Sequence, residues 1–445
     1  MMVPDVLSRP ARSVGMNLAL VRAFRRSPID FLDVLVANHD HAVPLRMGPE
    51  RVLLVDEATE VWELLTTHAR RTGKGRGLVR ARVLLGDGLL TSEGETHRSH
   101  RRALQPAFHA RSVLDYRTHF VEAAERASRQ WSDDGAIDLV AELSAMTLHG
   151  TAAALFGSDL SGRAPQITRA LTQMLGSFRL AMAPGGPALL RSPVPAANRM
   201  RAAIADLERV VDDLIGARQG AGGAPAPVLD LLASRQDFTP RDIRDEVMTL
   251  LLAGHETTAM ALTWALAAID QAPAVRAELE AEWDAFPEGD LPRTMAVLAE
   301  TMRLWPPAWM FTRRVLEPFV LGDRPVAAGT MCLVSPALLH RNPRWWPEPE
   351  RFEPRRWLQS APDQPDRFDA KAPGQPRGAY LPFGAGPRMC IGEQFAWSEA
   401  ATMLAVLGRR WRLRVHDAPL ATGRSSMTLR PRGLVRATTS RRTSS

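Results

Sequence analysis

The sequence predicts one large, mainly α-helical domain with a small β region. Three observations predict it. Helical periodicity dominates from about Ala58 to Arg303, strand-like stretches are confined to the two ends of the chain, and no loop separates two independent apolar cores. The length of 445 residues alone would favour two or three domains. We expect residues 30–437 to form the domain, residues 1–29 to be an N-terminal extension, and residues 438–445 to be a disordered tail.

Composition narrows the class of protein. Hydrophobic residues make up 45% and charged residues 24% of the chain, which are ordinary globular values. No apolar stretch reaches the roughly 18–20 residues of a membrane span, and the arginine-interrupted N-terminus lacks the apolar core of a signal peptide. We therefore predict a cytoplasmic protein without an integral membrane anchor. The two cysteines, Cys332 and Cys390, are too few for a disulfide framework or a four-thiolate metal site.

The net charge of +7 favours acidic partners in general. Only Lys74 and Lys371 of the 56 basic residues are lysines, so the positive charge rests almost wholly on arginine. Such a skew, with many Ala, Gly and Pro residues, is typical of genome composition rather than of a function. We see no basic stripe interleaved with aromatic residues, and we predict no binding to nucleic acid.

The predicted β structure and the predicted loops are short. Strand-like stretches are Val43–Val55, Phe319–Ser335 and Met427–Ala437. Composition predicts loops at Pro184–Pro195, Gly220–Pro227 and Leu358–Gly378.

One long helix has clear ends. Thr239 is suited to cap it, Pro240 fits the first turn, and Asp242 sits near its positive end. Pro273 ends the helix. Because Val247–Ala268 is apolar almost all round, we expect this helix to be buried.

The centre of this helix is polar, with the sequence AGHETT at residues 253–258. A buried acid and alcohol are costly unless they are satisfied, and Gly254 costs about 1 kcal/mol of helix stability relative to alanine. Small Ala253 and Gly254 would let something flat approach the backbone. The alternative is a structural kink, in which Thr257 or Thr258 bonds back to a carbonyl group.

A carboxylate and an arginine share one face of a second helix. Glu300 and Arg303 are three residues apart in the sequence ETMR. On a surface such a pair contributes little to stability. Here apolar residues surround it, and Arg351 is a candidate third member of a buried ion-pair triad.

The segment LPFGAGPRMCIGEQFA, residues 381–396, places Cys390 in a Gly-rich loop directly before a predicted helix. Gly384 and Gly386 allow positive φ and close packing against a flat ligand, and Arg388 suits a carboxylate. A helix N-terminus stabilises a thiolate. A lone thiolate serves as a nucleophile or as one axial ligand, and haem iron accepts a single cysteine thiolate.

At these residues the chain resembles the cytochrome P-450 family. The stretch Phe383-Gly384-x-Gly386-x-Arg388-x-Cys390-x-Gly392 looks like the haem-binding signature of the family. Three further motifs follow the order of the family: AGHETT at 253–258, ETMR at 300–303 and PERF at 349–352. The resemblance extends from about Asp30 to the C-terminal strand.

The resemblance implies a mainly α fold, haem b between the long helix and the cysteine loop, and insertion of one oxygen atom from O2 into a C–H or C=C bond. It implies that Cys390 is the axial iron ligand, that Phe383 shields it and that Gly392 tunes its charge. Ala253 and Gly254 would border the oxygen pocket, and Glu256 and Thr257 would deliver protons. The implied structural triad is Glu300, Arg303 and Arg351.

The same resemblance implies cations for the haem propionates. The implied residues are His97, Arg101, Arg313 and Arg388. His100 is expected at the surface, His255 is assigned no chemistry, and Cys332 is predicted to be a buried core thiol.

The implied substrate pocket is nearly all apolar, which favours a hydrophobic small molecule such as a terpenoid, a fatty acyl compound or a polyketide. Its implied residues are Val79, Val83, Leu84, Leu252, Ala308, Trp309, Met310 and Met427. We expect oxidation in specialised metabolism.

The chain carries no reductase domain, flavin motif or iron–sulfur cysteine cluster. Electrons from NAD(P)H are therefore expected through a separate ferredoxin or flavodoxin and its reductase, docked at an arginine-rich face, and the protein is expected to be a monomer. Three alternatives stay open: a haem-thiolate peroxygenase or isomerase of the same fold, a non-catalytic haem protein that binds ligands, and a protein without haem in which Cys390 is structural.

Overall fold

The structure is a computed structural model. It describes residues 14–15, 18–38, 42–47, 50–163, 166–171, 173–174, 185–219, 225–287, 289–359, 365–371, 374–416, 423–425 and 427–442.

Helices form most of the fold. The α-helices are α1 (Leu18–Arg26), α2 (Pro28–Ala37), α3 (Ala58–Leu65), α4 (Arg76–Arg80), α5 (Arg82–Leu85), α6 (Gly94–Leu104), α7 (Ala110–Asp115), α8 (Arg117–Ser128), α9 (Leu139–Phe156), α10 (Gly186–Arg191), α11 (Pro195–Gln219), α12 (Pro227–Ala233), α13 (Pro240–Gln271), α14 (Pro273–Asp284), α15 (Pro292–Leu304), α16 (Pro336–Leu339) and α17 (Glu393–Arg410). Residues 166–171 are helical as well. Short 3₁₀ helices cover Ala69–Arg71, Gln105–Phe108, Ser161–Arg163, Pro354–Trp357 and Gly386–Arg388.

The β structure is small and lies outside the helical core. Its strands are β1 (Val14–Gly15), β2 (Val43–Met47), β3 (Glu50–Val55), β4 (Thr72–Lys74), β5 (Gly135–Asp138), β6 (Phe311–Val315), β7 (Phe319–Leu321), β8 (Arg324–Val326), β9 (Met331–Val334), β10 (Leu358–Gln359), β11 (Arg367–Phe368), β12 (Trp411–His416), β13 (Gly423–Ser425), β14 (Leu429–Pro431) and β15 (Arg436–Arg441). The main sheet has the order β1-β2-β3-β9-β6-β4, a second sheet has the order β12-β15-β5, and β13 and β14 form a separate hairpin.

Helix α13 lies at the centre of the fold, where α9, α11, α15 and α17 contact it. Its start is the predicted one: the Thr239 hydroxyl accepts a hydrogen bond from Asp242 N at 3.2 Å, and the Asp242 carboxylate accepts one from Thr239 N at 2.8 Å. The capping box satisfies two backbone donors that would otherwise lack partners. The helix ends at Gln271, two residues before Pro273, also as predicted.

The predicted fold class is confirmed, and the predicted strands, the long helix and the helix after Cys390 are all present. The predicted disordered tail is wrong for residues 438–441. These residues complete β15, which pairs with β12 and β5, and Thr439 is fully buried there. Residues 443–445 lie outside the described residues.

Two other boundaries differ from the prediction. The expected N-terminal extension contains α1, which contacts α2 and buries Leu20 in an apolar cluster. The first predicted loop contains α10, because Pro187 in the first turn fixes a helical φ there. Residues 184, 220–224, 360–364 and 372–373 of the three predicted loops lie outside the described residues.

One described helix, α9, is long and apolar enough to cross a membrane by length and composition, and 67% of it is buried inside the fold. Burial against α13 and α8 accounts for its apolar sequence.

Candidate active site

The centre of α13 is open on one side. Between Glu246 and Ile269, the three residues that are not buried are Ala253, Gly254 and Thr257. They lie within four positions of one another, on adjoining faces of one helical turn. Since the rest of this stretch is enclosed by protein, the accessible surface of these three residues indicates an internal cavity beside them.

Gly254 also allows close helix packing. A Cβ atom added there would come within 3.0 Å of Cγ2 of Thr151 on α9. On the side where a Cβ atom would stand, the group that approaches the Gly254 backbone closely is therefore helix α9.

Both threonines at the centre of α13 bond back to their own helix. The Thr257 hydroxyl donates to the Ala253 carbonyl at 2.8 Å, and the Thr258 hydroxyl donates to the Gly254 carbonyl at 3.1 Å. The structural alternative, in which these hydroxyls satisfy backbone carbonyls, is thus observed. It does not exclude a chemical role for Thr257, because Thr257 also borders the cavity.

Glu256 is buried and paired with an arginine rather than with Thr257. The two carboxylate oxygens accept from Nε and Nη2 of Arg430, each at 2.6 Å, and Oε1 also accepts from the Thr428 hydroxyl at 2.8 Å. Burial by itself would raise the pKa of Glu256. Arg430, with smaller contributions from His255 and Thr428, outweighs it and holds that pKa below its ordinary value of 4.5. This carboxylate therefore stabilises the fold above about pH 4.5, and the stabilisation is lost as pH falls through the lowered pKa.

The cysteine loop, residues 381–392, is shaped by glycine. Gly384 and Gly386 have φ values of +73° and +70°, and a Cβ atom at Gly386 would lie 2.0 Å from the Leu65 carbonyl of α3. Only glycine fits that position without moving the backbone. The Phe383 carbonyl accepts from Cys390 N at 2.9 Å, which closes the loop directly before α17.

Cys390 is exposed, although burial by the surrounding protein is the largest influence on its thiol. This combination indicates an internal cavity beside Cys390. Burial raises the pKa of the Cys390 thiol above its ordinary value of 9.0, and the backbone N–H of Gly392 and the charge of Arg101 partly oppose this. The ring of Phe383 packs on Trp397 of α17, with ring centroids 5.7 Å apart.

Four basic side chains gather beside the loop, and we call Lys74, His97, Arg313 and Arg388 the cation cluster. Lys74 of β4 and Arg313 of β6 are direct cross-strand partners. Two like charges directly opposite each other destabilise a sheet. Burial, with the charges of Arg388 and Arg313, lowers the pKa of Lys74 to about 7. Burial, with Lys74 and Arg388, lowers the pKa of His97 to about 3.

Negative charge in the cation cluster is scarce. Glu93 accepts from Nη2 of Arg388 at 3.1 Å and from the backbone N of Lys74. Nε of Arg388 is buried and has no hydrogen-bond partner. Burial, with the charge of Arg388, lowers the pKa of Arg313 to about 10, although Glu93 opposes this. The Lys74 ammonium donates to the carbonyls of Leu89 and Ser92 at 2.7 and 2.6 Å. The positive charge that remains favours the binding of further anions.

Helix α6 connects the cation cluster, the cysteine loop and α13. His97 belongs to the cluster, Nη1 of Arg101 donates to the Met389 carbonyl at 2.7 Å, and Nδ1 of His100 lies 2.6 Å from Oε1 of Glu246 on α13. The predicted surface position of His100 is wrong, because its side chain is buried against Phe238 and Glu246.

These residues fit haem b. The group needs one axial ligand, room for a flat ring, and cations for its two propionates. Cys390 would supply the ligand, the space beside Ala253 and Gly254 would supply the room, and the cation cluster would supply the charge. Among the residues that the structure describes there is no group of three or more His, Cys, Asp or Glu side chains that would hold a different metal.

The fold and this site together define a haem-thiolate protein. The family model for Cytochrome P450 matches residues 9–435, and the chain belongs to that family. It is 37% identical to Cyclooctatin synthase of Streptomyces melanosporofaciens, over 87% of this chain and 86% of the relative. It is 34% identical to Cyclooctat-9-en-7-ol 5-monooxygenase of the same organism, over 88% and 86%. A solved six-coordinated cytochrome P450 from Thermus thermophilus superposes with a TM-score of 0.72 at 29% identity, over 90% of this chain and 95% of that one. The chain is therefore a cytochrome P450 monooxygenase, a class that uses haem, O2 and a source of electrons.

The predicted triad needs one correction. Glu300 accepts from Nε and Nη2 of Arg303 at 2.8 and 2.9 Å, as expected. Its second arginine is Arg356, whose Nε lies 3.1 Å from Oε1. Arg351 contributes only its backbone carbonyl to Arg303, while its exposed guanidinium pairs with Glu348 and Glu353.

The sequence contained a signal for Arg356. The stretch PRRW at 354–357 repeats the Pro-x-Arg-aromatic order of PERF at 349–352. Residues 354–357 form a 3₁₀ helix that packs on α15 and turns Arg356 inward. The predicted triad member, Arg351, belongs to the first copy of this pattern, and the observed one, Arg356, belongs to the second.

The eight predicted pocket residues fall into two groups. Leu84, Leu252 and Trp309 are buried within the apolar core, so their side chains have little free surface to offer a ligand. The other five keep accessible surface, and they are Val79, Val83, Ala308, Met310 and Met427. The shortened list remains apolar.

Replacing Arg313 with methionine tests the cation cluster. We expect haem transfer to apomyoglobin to quicken by about 10- to 100-fold, because a charge-assisted bond of roughly 1.5–3 kcal/mol is lost. The haem-free protein should unfold at the same or a higher urea concentration, because a repulsive charge opposite Lys74 is removed. Arg314→Met on the same strand is the matched control and should change neither value. Unchanged haem transfer in Arg313→Met would remove Arg313 from the propionate site.

Proposed function

We propose that the protein is a haem b monooxygenase that oxidises a hydrophobic terpenoid in specialised metabolism. The observation that carries the proposal is the exposed side chain of Cys390, which lies in the glycine-rich loop directly before α17. Haem bound there would supply the activation of O2: with two electrons from a donor protein and two protons, one oxygen atom would enter a C–H or C=C bond of the substrate and the other would leave as water.

The residues of the chain would divide the remaining work. Cys390 would bind the iron, and Phe383, packed on Trp397, would limit solvent access to the thiol. The cation cluster and Arg101 would hold the propionates. Thr257 and Glu256 would pass protons toward the cavity, with Thr257 at the cavity wall and Glu256 behind it in its pair with Arg430.

The choice of a terpenoid substrate rests on relatives and on the pocket. Two relatives that align over most of their length carry the names Cyclooctatin synthase and Cyclooctat-9-en-7-ol 5-monooxygenase. The accessible predicted pocket residues Val83, Met310 and Met427 are apolar, which suits a carbon skeleton with few polar groups. Fatty acyl and polyketide compounds are the competing substrate classes.

Product formation tests the proposal. Haem-loaded protein, a ferredoxin, its reductase and NADPH would be incubated with a panel of cyclic terpenes and terpene alcohols under ¹⁸O2. We expect one terpenoid to gain one labelled oxygen atom, detected by mass spectrometry. Products only with hydrogen peroxide would favour a peroxygenase instead, and tight spectral binding without any product would favour a ligand-binding protein. Turnover of fatty acids alone would overturn the substrate class.

We also propose that the cytoplasmic electron donor, a ferredoxin or flavodoxin, docks beside the cysteine loop. Exposed Arg102 lies on α6 next to Arg101, which contacts that loop, and exposed Arg111 lies on α7, which packs on α17. An acidic partner would be attracted to this face by complementary charge.

The double substitution Arg102→Ala/Arg111→Ala should slow reduction by ferredoxin about tenfold at low salt, because steering charge is lost. The dependence of the rate on ionic strength should weaken as well, as stopped-flow measurements would reveal. Arg209→Ala removes an exposed arginine of α11, which packs on α10 and α13, and serves as control. A salt dependence equal to that of the unmodified protein would place the docking face elsewhere.

A further inference from the structure

Strands β13 and β14 with their turn (residues 423–425 and 427–431) form the C-terminal hairpin. Three consecutive residues of this hairpin, 428–430, bind α13. Thr428 and Arg430 both bind the Glu256 carboxylate. Between them, the Leu429 carbonyl accepts from Nε1 of Trp264 at 3.2 Å, about two turns further along α13. The hairpin is therefore fastened to the central helix both at the acid and beyond it.

The same hairpin borders the predicted substrate pocket. Met427 directly precedes Thr428 and keeps accessible surface. Leu429 N donates to the Pro307 carbonyl at 3.0 Å, which ties the hairpin to the segment that carries Ala308 and Met310. The predicted pocket residue Met427 and the two residues that bind Glu256, Thr428 and Arg430, thus lie on one short piece of backbone.

We propose that Arg430 is a positioning residue for Glu256, and that with Thr428 it ties the position of this acid to the hairpin that carries Met427. The inference rests on the proposed function, since it assigns the acid of that reaction its support. A substrate that packs against Met427 would act on Glu256 through Thr428 and Arg430.

The geometry of the pair supports this role. Arg430 meets Glu256 with two parallel hydrogen bonds of 2.6 Å, the arrangement that fixes both the distance and the plane of a carboxylate. Glu256 is 2% exposed, whereas the Arg430 side chain is 25% exposed. The ion pair therefore joins the buried centre of α13 to a guanidinium that keeps accessible surface. A carboxylate held in this way has no proton of its own, so Glu256 can donate only after it gains one while the pair loosens.

Other titratable groups act on Glu256 less directly. His255 precedes Glu256 on α13 and is buried, and its Nδ1 lies within hydrogen-bonding distance, 2.8 Å, of the Leu251 carbonyl oxygen. Glu399 of α17 is buried, accepts a hydrogen bond from the Thr151 hydroxyl at 3.1 Å and lies beside Thr258. Because Thr258 lies about 200° around the helix from Glu256, Glu399 approaches the opposite face of α13. Arg430 is thus the charged group that governs Glu256.

Infrared spectroscopy of the haem-loaded resting protein tests the positioning without any turnover. In Arg430→Gln we expect a protonated carboxyl band between pH 5 and 8 in addition to the bands of the unmodified protein, which include that of Glu399, whose pKa burial raises to about 8. The additional band arises because a buried carboxyl without a cation stays neutral. It should be absent from Arg430→Gln/Glu256→Gln and from Arg430→Lys. Arg432→Gln, an exposed arginine just past the end of the same strand, is the matched control and should resemble the unmodified protein. No new band in Arg430→Gln would overturn the inference.

Coupling of electrons to product tests the consequence. In Arg430→Gln, the fraction of NADPH electrons recovered in product should fall at least about tenfold, since proton delivery by a positioned acid contributes 10²–10⁴-fold. The pH profile of kcat should shift, and Arg430→Lys should restore part of the loss. Unchanged coupling and pH profile in Arg430→Gln, with coupling reduced in Glu256→Gln, would overturn the inference. If no donor supports turnover in the unmodified protein, the proposed function fails, and the infrared result alone decides the role of Arg430.

Discussion

Replacing Cys390 with serine will remove the red-shifted Soret band of the carbon monoxide complex and all monooxygenase turnover. The hydroxyl of serine is far less acidic than a thiol, so serine supplies no anionic ligand at neutral pH. The loop should still fold, because Gly386 and the Phe383 carbonyl, rather than the thiol, set its shape. Haem binding should weaken but persist in part through the cation cluster, which is independent of position 390.

Cys332→Ala is the control for that experiment. Cys332 is fully buried on β9, and burial raises the pKa of its thiol to about 12, so it supplies no thiolate. We expect an unchanged carbon monoxide spectrum and a loss of about 1 kcal/mol in stability from the small cavity. A red-shifted band in Cys390→Ser, or its loss in Cys332→Ala, would contradict the assignment of the axial ligand.

Replacing Arg303 with leucine will lower the free energy of unfolding by about 3–5 kcal/mol, because it leaves the carboxylate of a buried pair short of a partner. Arg303 is fully buried and also donates to the carbonyls of His340, Pro349 and Arg351. Those carbonyls would lose their partner at the same time. Urea denaturation followed by tryptophan fluorescence would report the change, since Trp346 and Trp357 lie beside the pair.

Substitution of Arg356 and of Arg351 will distinguish the two candidates for the second arginine of the triad by their effects on stability. Arg356→Leu removes a bond to Glu300 and should cost roughly 1–3 kcal/mol. Arg351→Leu removes an exposed pair and should change stability by less than about 0.5 kcal/mol. Equal losses for the two variants would refute the structural assignment of Arg356.

Features encoded by neighbouring residues could be predicted from the sequence. The capping box of α13 depends on Thr239 and Asp242, which are three positions apart. The cysteine loop depends on glycine positions within a dozen residues. Periodicity and turn chemistry act over such distances, and the predicted helices and strands were accordingly found.

Features that depend on distant partners could not be predicted in this way. Arg430 pairs with a residue 174 positions earlier, and no local pattern marks it as different from the other arginines. Lys74 left a trace, because it is one of two lysines in the chain, but its pairing opposite Arg313 requires knowledge of the strand register. The buried position of His100 could not be predicted, because its partner Glu246 lies on another helix.

The facing pair of Lys74 and Arg313 has a consequence for production of the protein in cells. Two like charges opposite each other on β4 and β6 weaken one edge of the main sheet until an anion joins them. A ligand that binds only the folded chain adds RT ln(1 + [L]/Kd), about 4 kcal/mol at a thousandfold excess over Kd. A culture given a haem precursor should therefore yield more folded protein from the same amount of messenger RNA.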